Sequence, residues 1–261
     1  MKISRRDVLV STGGWASSFV LGAYASEAKG QEKNSRTASP QKLRVIVCGG
    51  HPGDPEYGCG GTVARLTQLG HEVVLLYLND GGWPPIPSGT RLAEATKACQ
   101  ILKARPAYAG HVNGHAIVDN AHYDDFHKQI AAEKPDAVFT QWPIDNHSDH
   151  RAITMLAYSA WHKLGQKFAL YYYEVSDGED TLQFSPNRYV DITETEPVKR
   201  AACYAHASQT PERYYALQDD VARFRGIESG HKRAEAFLLQ LRSPYDIFPL
   251  TDNYALKQGP D

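Results

Sequence analysis

From Leu43 onward, short apolar runs alternate with segments of helical periodicity, and that alternation restricts the chain to few folds. Leu43-Arg44-Val45-Ile46-Val47-Cys48 is a β-branched run, as expected for a strand covered on both faces. Val63, Leu66 and Leu69 follow at helical spacing, with Gly70 as a stop, and Glu72 to Leu78 is a second strand. A turn-rich loop, Asn79 to Gly89, leads into a helix over Thr90–Lys103. Further strands are expected near Ala107 and over Asp136–Thr140, Phe168–Val175 and Tyr189–Ile192. Helices are expected over Tyr123–Glu133, His150–Leu164, Glu194–Ala207 and Tyr215–Arg225, with an irregular tail. Strands separated by helical segments imply βαβ units. The expected fold is therefore a single α/β domain, Rossmann-like, with a mostly parallel sheet and helices on both faces. No internal repeat or second domain is visible.

Right-handed crossovers place the C-terminal ends of parallel strands on one edge, where open α/β sheets bind ligands. His51 and Asp54 follow the first strand and Asp80 the second, while His147, Asp149 and His150 follow Asp136–Thr140. These clusters, distant in sequence, should converge. Two imidazoles and a carboxylate can hold a catalytic zinc ion and leave a fourth position for water. A second histidine could act as acid or oxyanion stabiliser, and Asp149 could orient one imidazole by hydrogen bonding. Solvated loop histidines are the competing reading, because the chain has 11 histidines and His-x-x-His pairs occur by chance.

A net charge of −2 with interspersed signs excludes a basic nucleic-acid surface, and no basic amphipathic helix suggests a membrane surface. The chain begins Met1-Lys2-Ile3-Ser4-Arg5-Arg6, followed by a weakly apolar stretch ending Ala23-Tyr24-Ala25. That stretch is too short and polar for a stable membrane span, and it resembles a twin-arginine export signal over residues 1–25. The expected location is periplasmic or extracellular. Residues 26–42 read as a linker and 43–261 as the folded domain. Cys48 lies in a strand pattern, and Cys99 and Cys203 lie in helical patterns, so buried free thiols are expected.

The stretch His51-Pro52-Gly53-Asp54-Pro55-Glu56-Tyr57-Gly58-Cys59-Gly60-Gly61-Thr62 resembles a family signature, His-Pro-Asp-Asp-x-Glu-x-Gly-Cys-Gly-Gly-Thr. This signature belongs to the PIG-L/LmbE-like zinc-dependent N-acyl sugar deacetylases. Thr90-Arg91-x-x-Glu94-Ala95 and Asp145-x-His147-Ser148-Asp149-His150-Arg151-Ala152 are similar to two further family motifs. Tyr189-Val190-Asp191-Ile192, Lys199 and His206-Ala207-Ser208-Gln209 are similar to a fourth.

The resemblance implies an LmbE-like fold and a small-molecule N-acyl amino-sugar substrate. It implies Zn2+, or another divalent metal, on His51, Asp54 and His150. His147 is implied as the catalytic histidine and Asp149 as the residue holding it. Arg91 is implied to bind sugar hydroxyls or an appended anionic group; a helix-start salt bridge to Glu94 or Asp80 is its structural alternative. Trp83, among Pro84, Pro85 and Pro87, could wall a sugar site or pack as a surface loop.

One position departs from the family pattern. Gly53 stands where the family keeps its general-base aspartate. Asp80, Glu56 and Asp145 are the candidate substitutes. Zinc hydroxide acting without a base is a second possibility, and a catalytically impaired protein that binds metal and carbohydrate is a third.

Overall fold

In the computed structural model, residues 42–175, 182–250 and 257–258 are described. The expected export signal and its linker, as far as Gln41, lie outside the described residues. Strands β1 (Arg44–Gly49), β2 (Glu72–Asn79), β3 (Arg105–His111), β4 (Ala137–Gln141) and β5 (Ala169–Tyr173) are mutually parallel. They alternate with helices α1 (Asp54–Gln68), α2 (Ser88–Leu102), α3 (Asn120–Glu133) and α4 (Ser148–Lys163). After β5 come β6 (Arg188–Asp191), α5 (Glu196–Tyr204), a 3-10 turn (Ala207–Gln209) and α6 (Pro211–Ser229). Strand β7 (Ala234–Leu239) then inserts between β5 and β6, antiparallel to both. The seven-stranded order is β3-β2-β1-β4-β5-β7-β6. A small antiparallel pair, β8 (Tyr245–Asp246) with β9 (Lys257–Gln258), completes the described elements.

Side-chain alternation along the strands divides the core in two. Val45, Val47, Leu75, Tyr77, Phe139, Tyr171 and Tyr173 face α1, α2 and α5, packing on Val63, Leu66, Ala95, Leu102 and Ala202. Ile46, Cys48, Val74, Leu76, Val138, Leu170 and Tyr172 face α3 and α4, packing on Phe126, Ile130, Ile153, Leu156 and Trp161. The expected doubly covered α/β sheet is thus found, and the Tyr171–Tyr173 run is core on both faces. All four cysteines are buried and free. Among the described residues no helix is long and apolar enough to cross a membrane.

Two expectations need correction. The tail after α6 was expected to be irregular and instead supplies β7. Its Glu235 is buried and paired with Lys199 of α5 at 2.7 Å, so a charge that argues against a buried strand is neutralised by a distant residue. The first helix, expected from the Val63, Leu66 and Leu69 spacing, begins well before it, at Asp54. Pro55 suits the first helical turn, where its missing N–H is no loss. Gly60 and Gly61 are there for close approach. A Cβ on Gly60 would lie 3.0 Å from Lys199 Cγ, and one on Gly61 would lie 2.6 Å from Ile192 Cγ2.

Candidate metal centre

Strands β1, β2 and β4 end together at one sheet edge. After β1 the chain needs only Gly50-His51-Pro52-Gly53 before α1 begins. Gly53 caps that helix at φ +113°, a conformation that favours glycine, and its N–H donates to Glu56 Oε2 at 3.2 Å. After β4 the chain turns through residues 142–147 into α4, and His147 is the N-cap, its Nδ1 accepting the Asp149 N–H at 3.2 Å. Short turns on a rigid sheet therefore fix His51, Asp54, His147 and His150 in place.

Three of these residues meet at a point. Asp54 Oδ2 lies 3.2 Å from His51 Nδ1 and 3.0 Å from His150 Nε2, and the two nitrogens are 3.3 Å apart. Ligand atoms about 2.0–2.1 Å from a four-coordinate ion stand roughly 3.3 Å apart, so these three atoms fit one face of a tetrahedral site. The outer partners assign the tautomers. His51 donates Nε2–H to Asp149 Oδ2 at 3.2 Å, and His150 donates Nδ1–H to Asp145 Oδ1 at 2.9 Å. Each ring then turns a lone pair toward the Asp54 oxygen. Two lone pairs and a carboxylate oxygen repel one another unless a cation lies between them. The donor set fits a divalent metal.

Without an ion, protons take that place. Burial disfavours the His150 imidazolium, but the Asp54 charge and hydrogen bonds to Asp145 and Asp54 outweigh it, and its pKa rises to about 10. His51 is raised as well, against the cost of burial, by Asp54 and by its hydrogen bond to Asp149. Burial opposes the Asp54 carboxylate, yet His150 and His51 hold it well below the usual range. His147 moves the other way: burial, then the charges of His51 and His150, lower it. A neutral His147 whose Nδ1 accepts from the backbone carries its proton on Nε2. One of its ring nitrogens also comes within 4.8 Å of ring nitrogens of both His51 and His150.

His51, Asp54 and His147 line a cavity of about 800 Å3. Trp83, Ile86 and Arg91 also line it, as do Arg213, Tyr214 and Leu217 from α6. The GlcNAc-PI de-N-acetylase family model, PIG-L, matches residues 46–161, which include all four metal-centre residues. Residues 46–161 are a PIG-L domain. Diacetylchitobiose deacetylase of Thermococcus kodakarensis is 26% identical over 219 residues, covering 74% of this chain and 81% of that protein. The crystal structure of a conserved protein of Thermus thermophilus superposes with a TM-score of 0.69 at 25% identity, covering 80% of this chain and all of that one. N,N'-diacetylchitobiose deacetylase of Pyrococcus horikoshii has the same fold, with a TM-score of 0.68 at 23% identity over 80% of this chain and 88% of its own.

Within the PIG-L domain, Trp83 and Arg91 both border the cavity. Trp83 is 63% exposed, on a loop closed by paired backbone hydrogen bonds to Ile86. Arg91 is 5% exposed and donates to the Pro52 carbonyl; the salt bridges to Glu94 or Asp80 weighed from sequence do not form. The Asp149 carboxylate serves His51, Asn79 and the Gly114 N–H; only its backbone N–H binds His147. It therefore orients the His51 ring, where the family pattern implied His147.

None of the three candidate substitute bases borders the cavity. Asp80 accepts the Gly82 N–H in its own turn, at 2.9 Å. Glu56 is fully buried and accepts from Tyr77, the Gly53 N–H and His206. Asp145 is also buried, committed to His150 and the His147 N–H. Among the described residues, Asp54 is the only carboxylate lining the cavity. Sequence reasoning missed the α6 residues, because Tyr214 and Leu217 belong to no motif and lie 64 or more residues beyond both site turns, His51–Asp54 and His147–His150.

Proposed function

We propose that this chain is a metal-dependent hydrolase that removes an N-acyl group, acetyl in the simplest case, from an amino-sugar derivative. The observation that carries the reading is the convergence of His51 Nδ1, His150 Nε2 and Asp54 Oδ2, with His147 beside them. The names of the two deacetylase relatives support an acetylated amino-sugar substrate. Zinc suits two imidazoles and one carboxylate with a fourth position open, and such an ion polarises a carbonyl and lowers the pKa of bound water to roughly 7.

The chain's own residues supply the remaining functions. His147, neutral with its proton on Nε2, can donate that N–H as a hydrogen bond to the oxygen of the substrate carbonyl, stabilising the charge that develops there. Asp145 and Asp149 hold the two metal-binding rings in register. Trp83 and the α6 side chains border the cavity where a sugar would lie. Tyr57 and His206 flank Gly53, and Arg91 donates to the Pro52 carbonyl that precedes it. The Ser4-Arg5-Arg6 start supports an exported protein.

Zinc-loaded protein should release acetate from N,N'-diacetylchitobiose or N-acetylglucosamine, and His150→Ala should lose both bound zinc and activity. Absence of acetate from a broad panel of N-acetyl amino sugars would sink the hydrolase reading. A second reading, metal and carbohydrate binding without turnover, is favoured by Gly53, since among the described residues Asp54 is the only carboxylate that lines the cavity. General bases contribute about 10²–10⁴-fold, so a working enzyme here should be slow by that measure.

A further inference from the structure

The turn that joins two of the metal-centre residues has a defined type. The Asp54 N–H donates to the His51 carbonyl at 3.2 Å, closing a β-turn with Pro52 and Gly53 at its centre. Gly53 has φ +113° and ψ −39°. Proline holds its own φ at about −65°, so a positive φ at the next residue makes this a type II turn. His51 and Asp54 are its two ends, and Asp54 Oδ2 also accepts the His51 N–H at 2.8 Å.

A type II turn differs from type I in its central peptide, which is turned over. Here that peptide joins Pro52 to Gly53, both buried, and it is held at both polar ends. Arg91, itself 5% exposed, donates to the Pro52 carbonyl. The Gly53 N–H donates to Glu56 Oε2 at 3.2 Å. Glu56 is fully buried, and its other oxygen accepts from the Tyr77 hydroxyl at 2.7 Å and from His206 Nε2 at 2.9 Å. A cation thus stands at the peptide oxygen and an anion at the peptide N–H. Turning the peptide over would aim the carbonyl at Glu56 and the N–H at Arg91, a buried mismatch at both ends.

Space is not what requires glycine in this turn. A Cβ at position 53 would meet nothing closer than the Tyr57 ring at 3.7 Å and His206 Cδ2 at 3.9 Å, both ordinary contacts. The backbone angle is the constraint, because a side chain at φ +113° is strained and favours the type I form instead.

We infer that Arg91 and Glu56 are positioning residues that hold the Pro52–Gly53 peptide in the type II form and so set the spacing of His51 and Asp54 around the ion. The inference rests on the proposed metal-dependent reading. It gives Arg91 a task other than the sugar contact that the resemblance implies. It also changes the meaning of Gly53. Glycine serves the turn, so an aspartate placed there would strain the loop between two metal-binding residues while adding a carboxylate.

Zinc affinity by chelator competition, together with amide exchange of the full chain followed by nuclear magnetic resonance, tests this. In the unmodified chain the Gly53 amide should be protected from exchange, although it lies in a turn at the sheet edge. Arg91→Met removes the donor at the Pro52 carbonyl and should speed exchange at Gly53, whose own bond goes to Glu56. The same variant should bind zinc about ten-fold or more weakly, and Arg91→Lys should restore part of both effects. A purely structural Arg91 would loosen α2 and its neighbours together without singling out Gly53. Gly53→Ala should also weaken zinc binding, although its methyl has room. A Gly53 amide that exchanges as fast as an exposed loop amide in the unmodified chain overturns the inference, even if Arg91→Met fails to fold. Unchanged zinc affinity in Arg91→Met or in Gly53→Ala overturns it too. The reading beneath it fails separately: if His150→Ala keeps its zinc, the metal centre is wrong, and Gly53 exchange in metal-free Arg91→Met still decides whether the peptide is held as inferred.

Discussion

At the scale of single residues, the metal centre depends on groups that never touch the metal position. Asp145 is 1% exposed and fixes the His150 ring through Nδ1, while also accepting the His147 N–H at 2.8 Å. One carboxylate thus sets the tautomer of a ligand and the start of the helix that carries it. Outer partners of this kind typically contribute about 10–100-fold to metal affinity. Asp145→Asn should therefore weaken zinc binding by about that factor while the folded chain persists, as equilibrium dialysis alongside circular dichroism would show. Unchanged zinc affinity would remove Asp145 from this role. The convergence of His51, Asp54, His147 and His150 was legible in the sequence, because His51-x-x-Asp54 and His147-x-x-His150 lie directly after strand-like runs. Their outer partners were legible only as nearby acids. The pairing of Asp149 with His51 spans 98 residues and follows from how two loops meet, which no local pattern encodes.

At the scale of elements, α1 is the joint between site and core. Its first turn carries Asp54 and Glu56, and its glycine face lets α5 approach closely. Glu235 of β7 accepts the N–H groups of Gly61 and Thr62 in the same helix, at 2.9 and 2.7 Å, and pairs with Lys199 of α5. This is why Lys199, set beside a site motif in sequence, serves to clamp three elements together. It also explains why β7 escaped detection: Ala-Glu-Ala-Phe-Leu-Leu places a charge where a buried strand should have none, and its counter-charge is 36 residues away. Removing one partner of such a buried pair commonly costs about 3–5 kcal/mol. Lys199→Met should destabilise the chain by about that much in urea unfolding, and adding Glu235→Gln should recover part of the loss. A Lys199→Met loss no larger than that of an exposed lysine would show that the clamp carries no weight. Gly61→Ala offers a separate test of the packing. Its methyl would press on Ile192, and overpacking of this kind costs about 1–3 kcal/mol.

At the scale of the whole molecule, the two hydrophobic layers are complete without an ion, while the metal centre sits on turns at the sheet edge. Chelation should therefore leave the fold in place and lower its stability. An ion at a hundred times its Kd adds about 2.7 kcal/mol, and its removal should cost about 5–11 °C in Tm for a chain of this size. The size of that shift must depend on pH. In the metal-free chain His150 has a pKa of about 10 and His51 is raised in the same direction. Their raised pKa values stabilise the metal-free fold below the unfolded value near 6.5, and that contribution fades as pH rises through about 10 for His150. Asp54 is held well below the usual carboxylate range, so it stays ionised across this interval and adds no slope. A metal ion must displace the imidazolium protons, so its affinity grows as pH rises. Each displaced proton is worth about 1.4 kcal/mol per pH unit, roughly 3–6 °C of Tm. Between pH 6 and 8 the gap between the zinc-loaded and chelated melting temperatures should widen steadily. Zinc titrated at pH 7 should release protons, read from the buffer dependence of the calorimetric heat. A gap that stays constant with pH, with no proton release, would mean that the ion does not bind through His51 and His150.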